Sequence, residues 1–192
     1  MMYYHASPVS GIDVLKPHVS NHNRPLVYFS EKRENVLVYL SNAIEKFCQE
    51  TGFPHSGPWQ KWGPYGFTSD RLLQIQEYYP NALTETYAGV SGYIYSADTI
   101  EPANVPIHIP FSAISERPVL VTDCEFVPDA LEAILAAERS GLISILRYED
   151  AADRIEAFNR RTIPTEYENA AAHPEYRNFL KAKFPHLLDD RQ

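Results

Sequence analysis

Two tyrosines, Tyr28 and Tyr39, stand eleven residues apart in "RPLVYFSEKRENVLVYL" (24–40), one on either side of a charged bend. Rings placed this way can wall a cleft, because aromatic faces attract flat and cationic groups. A second set lies at the N-terminus, where "YHAS" (4–7) ends a short apolar run with an imidazole, His5, and a hydroxyl, Ser7. His18 and His22 are four apart, a metal-binding spacing on a helix, but Pro17 and the flanking asparagines make this stretch a loop. No further ligands accompany them, and no metal is expected. Cys48 and Cys124 are far apart and belong to no motif, which argues against both a disulfide scaffold and a zinc site. No glycine-rich fingerprint follows a strand and no G-x-S-x-G elbow is present, so neither a Rossmann site, a P-loop nor a hydrolase nucleophile is indicated.

The elements that must position these residues can be read from periodicity. "MYYHAS" reads as a short strand, residues 11–25 as loop, and "PLVYFS" as a strand buried on both faces. Ser30 is placed to cap a helix whose stripe is Val36, Leu37, Leu40, Ile44, Phe47 and Cys48. Tyr39 falls at the edge of that stripe, where a side chain lining a cleft would sit. Residues 51–67, with Trp59 and Trp62 among glycines and prolines, read as an ordered loop or a binding wall. "TSDRLLQIQEYY" reads as a capped helix. "TYAGVSGYIYSA" reads as a strand, residues 102–118 as an extended connection, and "RPVLVTDCEFV" as one further strand. "PDALEAILAAERSG" is a helix with Pro128 in its first turn and Gly141 as its stop. "LISILRY" is a strand, and two helical stretches complete the chain. Strands and helices mix without a βαβ rhythm, so the expected class is α+β.

At 192 residues the chain is expected to form a single domain (1–192), with 150–192 as a helical C-terminal appendage. The composition is that of a globular protein, 44% hydrophobic and 22% charged, with thirteen tyrosines as the outlier. The net charge of −8 and the lack of clustered Lys and Arg argue against a nucleic-acid partner. No segment has the length of a signal peptide's apolar core or of a transmembrane span, so a cytoplasmic location and no membrane partner are expected.

Taken together, His5-Ala6-Ser7, Tyr28-Phe29-Ser30 and Tyr39 resemble the ADP-ribosyltransferase fold family, in the branch that includes the poly(ADP-ribose) polymerases. There a first strand ends in His-Gly-Ser or His-Gly-Thr. A later strand carries Tyr-Phe-Ala, and a second tyrosine follows at this same spacing. The resemblance covers about the first 40 residues. It departs from the family at Ala6, where the family has glycine, and at Val36, where the branch often has a serine that touches the nicotinamide amide. It implies a split mixed or antiparallel sheet with flanking helices and NAD as substrate, with no metal. His5 would bond a ribose hydroxyl, Ser7 would help to fix the nicotinamide, and Tyr28 and Tyr39 would wall its ring.

Such a transferase needs a carboxylate beside the developing oxocarbenium centre. The family's glutamate lies near the start of a late strand, and Glu116 and Glu125 compete for that place. Glu116, just before the apolar run of "SERPVLV", is preferred on position. The expected activity is transfer of ADP-ribose from NAD to an unknown acceptor, or to water, with nicotinamide released. The alternative is a non-catalytic nucleotide-binding or protein-interaction module on a degenerate form of the fold. The RNA 2'-phosphotransferase branch fits least, since its cleft uses basic residues that this acidic chain does not supply.

Overall fold

The computed structural model describes residues 1–19, 24–55, 63–105 and 107–188. The first strand, β1 (Tyr3–Ser7), is followed by two short strands, β2 (Val14–Leu15) and β3 (His18–Val19), inside the stretch read as loop. Strand β4 (Pro25–Ser30) has Pro25 at its first position, where a missing N–H is tolerated, and then aromatic and β-branched residues that suit a pleated, buried surface.

One continuous helix was the expectation after Ser30. A 3-10 helix (Arg33–Tyr39) forms instead, stops at Leu40, and gives way to α1 (Ala43–Thr51) with Asn42 as its N-cap. Val36 and Val38 are stiff at χ1 and weaken a helix, while Ser41 and Asn42 prefer its ends. The break is anchored from outside the segment, since the Asn42 N–H donates to the Thr86 carbonyl at 3.2 Å. Ser30 Oγ accepts from the Lys32 N–H at 3.1 Å, a turn bond and not a helix cap.

Further along the chain come β5 (Tyr65–Phe67), β6 (Leu73–Gln76) and α2 (Ala82–Tyr87). The helix expected over "TSDRLLQIQEYY" is therefore replaced by a turn and a strand. Thr68 Oγ1 accepts from the Leu72 N–H, Arg71 takes a left-handed backbone (φ 61°), and Leu73 and Ile75 are buried in alternation with Gln74 and Gln76. Period two decides the segment.

Strand β7 (Gly92–Ala97) precedes β8 (Ser112–Ser115), which lies inside the expected extended connection. The single strand expected over "RPVLVTDCEFV" divides into β9 (Val119–Leu120), paired with β2, and β10 (Asp123–Val127), paired with β7. Helix α3 (Ala130–Arg139) follows as expected, capped by Asp129, whose carboxylate accepts from the Glu132 N–H. Pro128 stands just before that cap, and Gly141 (φ 68°) ends the helix in the left-handed region. Strand β11 (Ile143–Leu146) and helices α4 (Tyr148–Asn169), α5 (Pro174–Lys183) and α6 (Pro185–Leu188) complete the chain.

The fold is α+β. A six-stranded sheet runs β10-β7-β1-β4-β3, with β8 also on β4, and every pairing in it is antiparallel. A second sheet, β11-β6-β5, is mixed. One face of the large sheet packs on the 3-10 helix and α3 through Leu37, Leu40, Ile94, Val127 and Ile134. The opposite face buries Val27, Phe29, Tyr95 and Val119. Residues 150–188 are not loosely attached: Tyr167, Tyr176, Phe179 and Phe184 share a core with Ile44 and Cys48 of α1 and with Tyr78 and Tyr79.

Candidate functional site

Strand β1 has two unlike seams. Against β7 it is laddered through all five residues, from Tyr3↔Ala97 to Ser7↔Tyr93. Against β4 a single pair, Tyr4↔Ser30, is made. Beyond that pair the strands are bridged by a side chain, because His5 Nδ1 lies 2.8 Å from the Tyr28 carbonyl oxygen. A carbonyl only accepts, so the proton sits on Nδ1 and Nε2 is left as an acceptor. Burial lowers the His5 pKa, and the bond to Tyr28 opposes this only in part. The ring is therefore neutral at pH 7, in a single tautomer.

Register decides which side chains share a face. Directly opposed residues of an antiparallel pair point the same way, and alternate residues along a strand do so too. Tyr4, Ala6, Ser30 and Tyr28 therefore face the 3-10 helix. Consistent with this, Tyr4, Ala6 and Tyr39 all pack on the core of that side. His5 belongs to the opposite face, where its ring meets Phe29 edge-on with centroids 6.0 Å apart. Ser7 has the same parity, and its Oγ accepts from the Val9 N–H at 3.2 Å.

The expected residues thus assemble as a seam with two sides. Tyr28 and Tyr39 share the helical side with Ala6, while His5 reaches Tyr28 through its backbone from the other side. Ala6 stands where the resembled family has glycine, and with Tyr4 it is the β1 residue that faces the helical side. Alternation along "YYHAS" carries this signal in the sequence.

Tyr39 is held by its end. Its hydroxyl is 2.8 Å from that of Tyr65 on β5, and the rings meet edge-on at 6.1 Å between centroids. Burial, with Tyr65 second, pushes the Tyr39 phenol far above its ordinary range, so it stays protonated. Tyr65 had no part in the sequence reading. It lies in the stretch 51–67, whose Trp59 and Trp62 fall outside the described residues, as does His22.

Neither carboxylate is unattached. Glu116 follows the end of β8, where Ser115 Oγ accepts from the Arg117 N–H and turns the chain. It is exposed and ion-paired with Arg24. The strand it precedes, β9, pairs with β2 and not with the large sheet, which removes the positional ground for preferring it. Glu125 lies inside β10, opposite Ile94, which is opposite Ala6. It therefore shares the face of Ala6, two strands across, at roughly 10 Å between Cα atoms. Arg33 clamps it through Nε (2.8 Å) and Nη2 (2.5 Å), and this hydrogen bonding holds its pKa below the ordinary value. Arg33 is a site neighbour that sequence reasoning missed.

Among the described residues no cluster of His, Cys, Asp and Glu could hold a metal ion, and no helix is long and apolar enough to cross a membrane. No protein-family model, curated protein or solved structure matches the chain.

Proposed function

We propose that the chain binds NAD at the β1–β4 seam and transfers its ADP-ribose to an acceptor, with nicotinamide released, on a sheet of ADP-ribosyltransferase type. The observation that carries this reading is the seam itself: one ladder pair, one histidine bridge, and two tyrosines facing the same side beyond them. A pyridinium ring between Tyr28 and Tyr39 gains from two aromatic faces, and more so in a partly desolvated slot. Nε2 of His5, an obligatory acceptor, suits a ribose hydroxyl. When the glycosidic bond breaks, its electron pair leaves with the nicotinamide nitrogen, which becomes neutral. The ribose carbon takes on oxocarbenium character until the acceptor, or water, attacks it. Glu125, ionised and on the face of Ala6, is the carboxylate that this geometry favours for stabilising that charge.

A second reading is favoured by specific observations. Both candidate carboxylates are engaged by arginines, Val36 supplies no hydroxyl, and Ala6 stands where the resembled family has glycine. These features suit a module that binds a nucleotide without turning it over.

Nicotinamide release from NAD, followed for the wild type, Glu125→Gln and Glu116→Gln, separates the readings. Loss of one such charge-stabilising group costs about 10²–10³-fold in rate. Transferase chemistry at this site predicts that loss for Glu125→Gln and none for Glu116→Gln. Wild-type protein that binds NAD and releases nothing would leave the non-catalytic module.

A further inference from the structure

The two rims of the large sheet differ. At β8 the Ile114 carbonyl accepts from the Ala103 N–H at 2.9 Å, so the chain's own connection lies along that rim. Strand β10, at the other rim, pairs with β7 through all five of its residues and, among the described residues, with no strand on its outer side. Asp123, Cys124, Glu125 and Phe126 are all exposed. An edge strand turns every second N–H and C=O outward, a ready template for one more strand.

The two faces of β10 say what would fit there. By alternation Asp123 and Glu125 point to the helical side, and Cys124 and Phe126 to the other. Phe126 is 55% exposed and its ring lies 5.3 Å from that of Tyr93, so an apolar shelf runs out to the rim. On the helical side the rim is acidic. Arg33 is shared between Glu125 and Glu34, and Asp123 makes no ion pair among the described residues. Three carboxylates thus stand against one guanidinium.

A second copy of the chain is a poor occupant. Two-fold antiparallel pairing of β10 with itself opposes residues of like parity. The register centred on Glu125, which uses all five residues, sets Glu125 against Glu125. The register centred on Cys124 sets Asp123 against Glu125. Like charges directly opposite are destabilising.

We infer that β10 is a docking edge for an extended segment of another protein, added to the sheet as a further strand. That segment carries Lys or Arg at alternate positions, opposite Asp123 and Glu125, and an apolar or aromatic residue on the other face, against Phe126. Main-chain bonds supply the affinity of such a contact, and the alternating side chains its selectivity. The inference holds whether or not the chain binds NAD.

A short capped peptide that alternates Lys with Val and Phe tests it, by fluorescence anisotropy and amide-resolved NMR on the full chain. Two further versions are N-methylated on the backbone, one at the lysines and one at the apolar residues. Those nitrogens lie on opposite edges of an extended peptide, and strand addition uses one edge alone. One version should therefore bind like the parent and the other at least tenfold more weakly. The parent should move the amides of residues 123–127. Asp123→Lys should weaken it at least fivefold at unchanged melting temperature, and a version with Glu in place of Lys should not bind the wild type. Absence of shifts at 123–127, equal binding by the two methylated versions, full binding to Asp123→Lys or binding of the Glu version would overturn the inference. So would sedimentation showing a dimer of the chain that Phe126→Ser returns to monomer.

Discussion

The two edges of β1 differ more than any other pair of neighbours in the large sheet. On the β7 side, five consecutive pairs are closed, and Gly92 at the foot of β7 lets Leu40 approach so nearly that a Cβ there would lie 2.6 Å from Leu40 Cδ2. On the β4 side, one pair is made and a histidine spans the gap. The closed seam is built from backbone and tight packing, so its residues are replaceable only at a cost in stability. The open seam is built from polar tips, namely His5 Nδ1 and the Tyr39 and Tyr65 hydroxyls, so its residues can change with less harm to the fold. The same contrast divides the tyrosines. Tyr78, Tyr79, Tyr87, Tyr167 and Tyr176 are at most 9% exposed and serve the core, whereas Tyr28, Tyr39 and Tyr65 are only part-buried.

The largest effect should come from the closed seam. Gly92→Ala places a methyl against Leu40 and, at 3.1 Å, against the Ser7 carbonyl oxygen. Overpacking of this kind costs about 1–3 kcal/mol, and denaturant unfolding should show it. At the open seam, Tyr39→Phe removes the hydroxyl bond to Tyr65 and should lower stability by about 1 kcal/mol. A loss for Tyr39→Phe as large as that for Gly92→Ala would erase the contrast.

Acidification sharpens the contrast further. The folded His5 pKa lies below its ordinary 6.5, so below that pH the unfolded chain binds more protons than the folded one. His5 therefore contributes a fall in stability as pH drops from about 6.5 through its folded pKa. Melting temperatures of His5→Gln should fall less than those of the wild type over that interval. Glu125 has the opposite origin, a pKa depressed by Arg33. Its contribution is present above the ordinary 4.5 and is lost as pH falls through the folded value. The smallest change is expected from Glu125→Gln at pH 7. Its side chain is 49% exposed in the ion pair, so the loss should stay within about 1 kcal/mol. A larger loss would mean that this carboxylate is structural and not held in reserve for chemistry.

Much of the frame was legible before any coordinates. The strands at "YYHAS" and "PLVYFS" declared themselves by composition, and α3 by Pro128 at its start and a Gly141 stop. What failed did so for identifiable reasons. "LLQIQ" was read as helix because "TSD" before it looks like a helix cap, yet its burial alternates with period two and β11 lies beside it to claim it. The helix through Leu40 was read as continuous because the Thr86 carbonyl that breaks it is remote in sequence. At the site, residue types were visible and register was not. Alternation along "YHAS" separates His5 from Ala6, but nothing local shows which of the two faces the 3-10 helix, or that Arg33 reaches Glu125 across 92 residues.

The central claim is that the open seam holds the nicotinamide end of NAD between Tyr28 and Tyr39. Calorimetric titration of NAD into the wild type and into Tyr39→Ala tests it most directly, with thermal melts confirming that both are folded. The account predicts saturable binding by the wild type and at least a tenfold weaker affinity for the variant. Equal affinity in the two proteins, or no binding to the wild type, would contradict it and return both tyrosines to the role of packing residues.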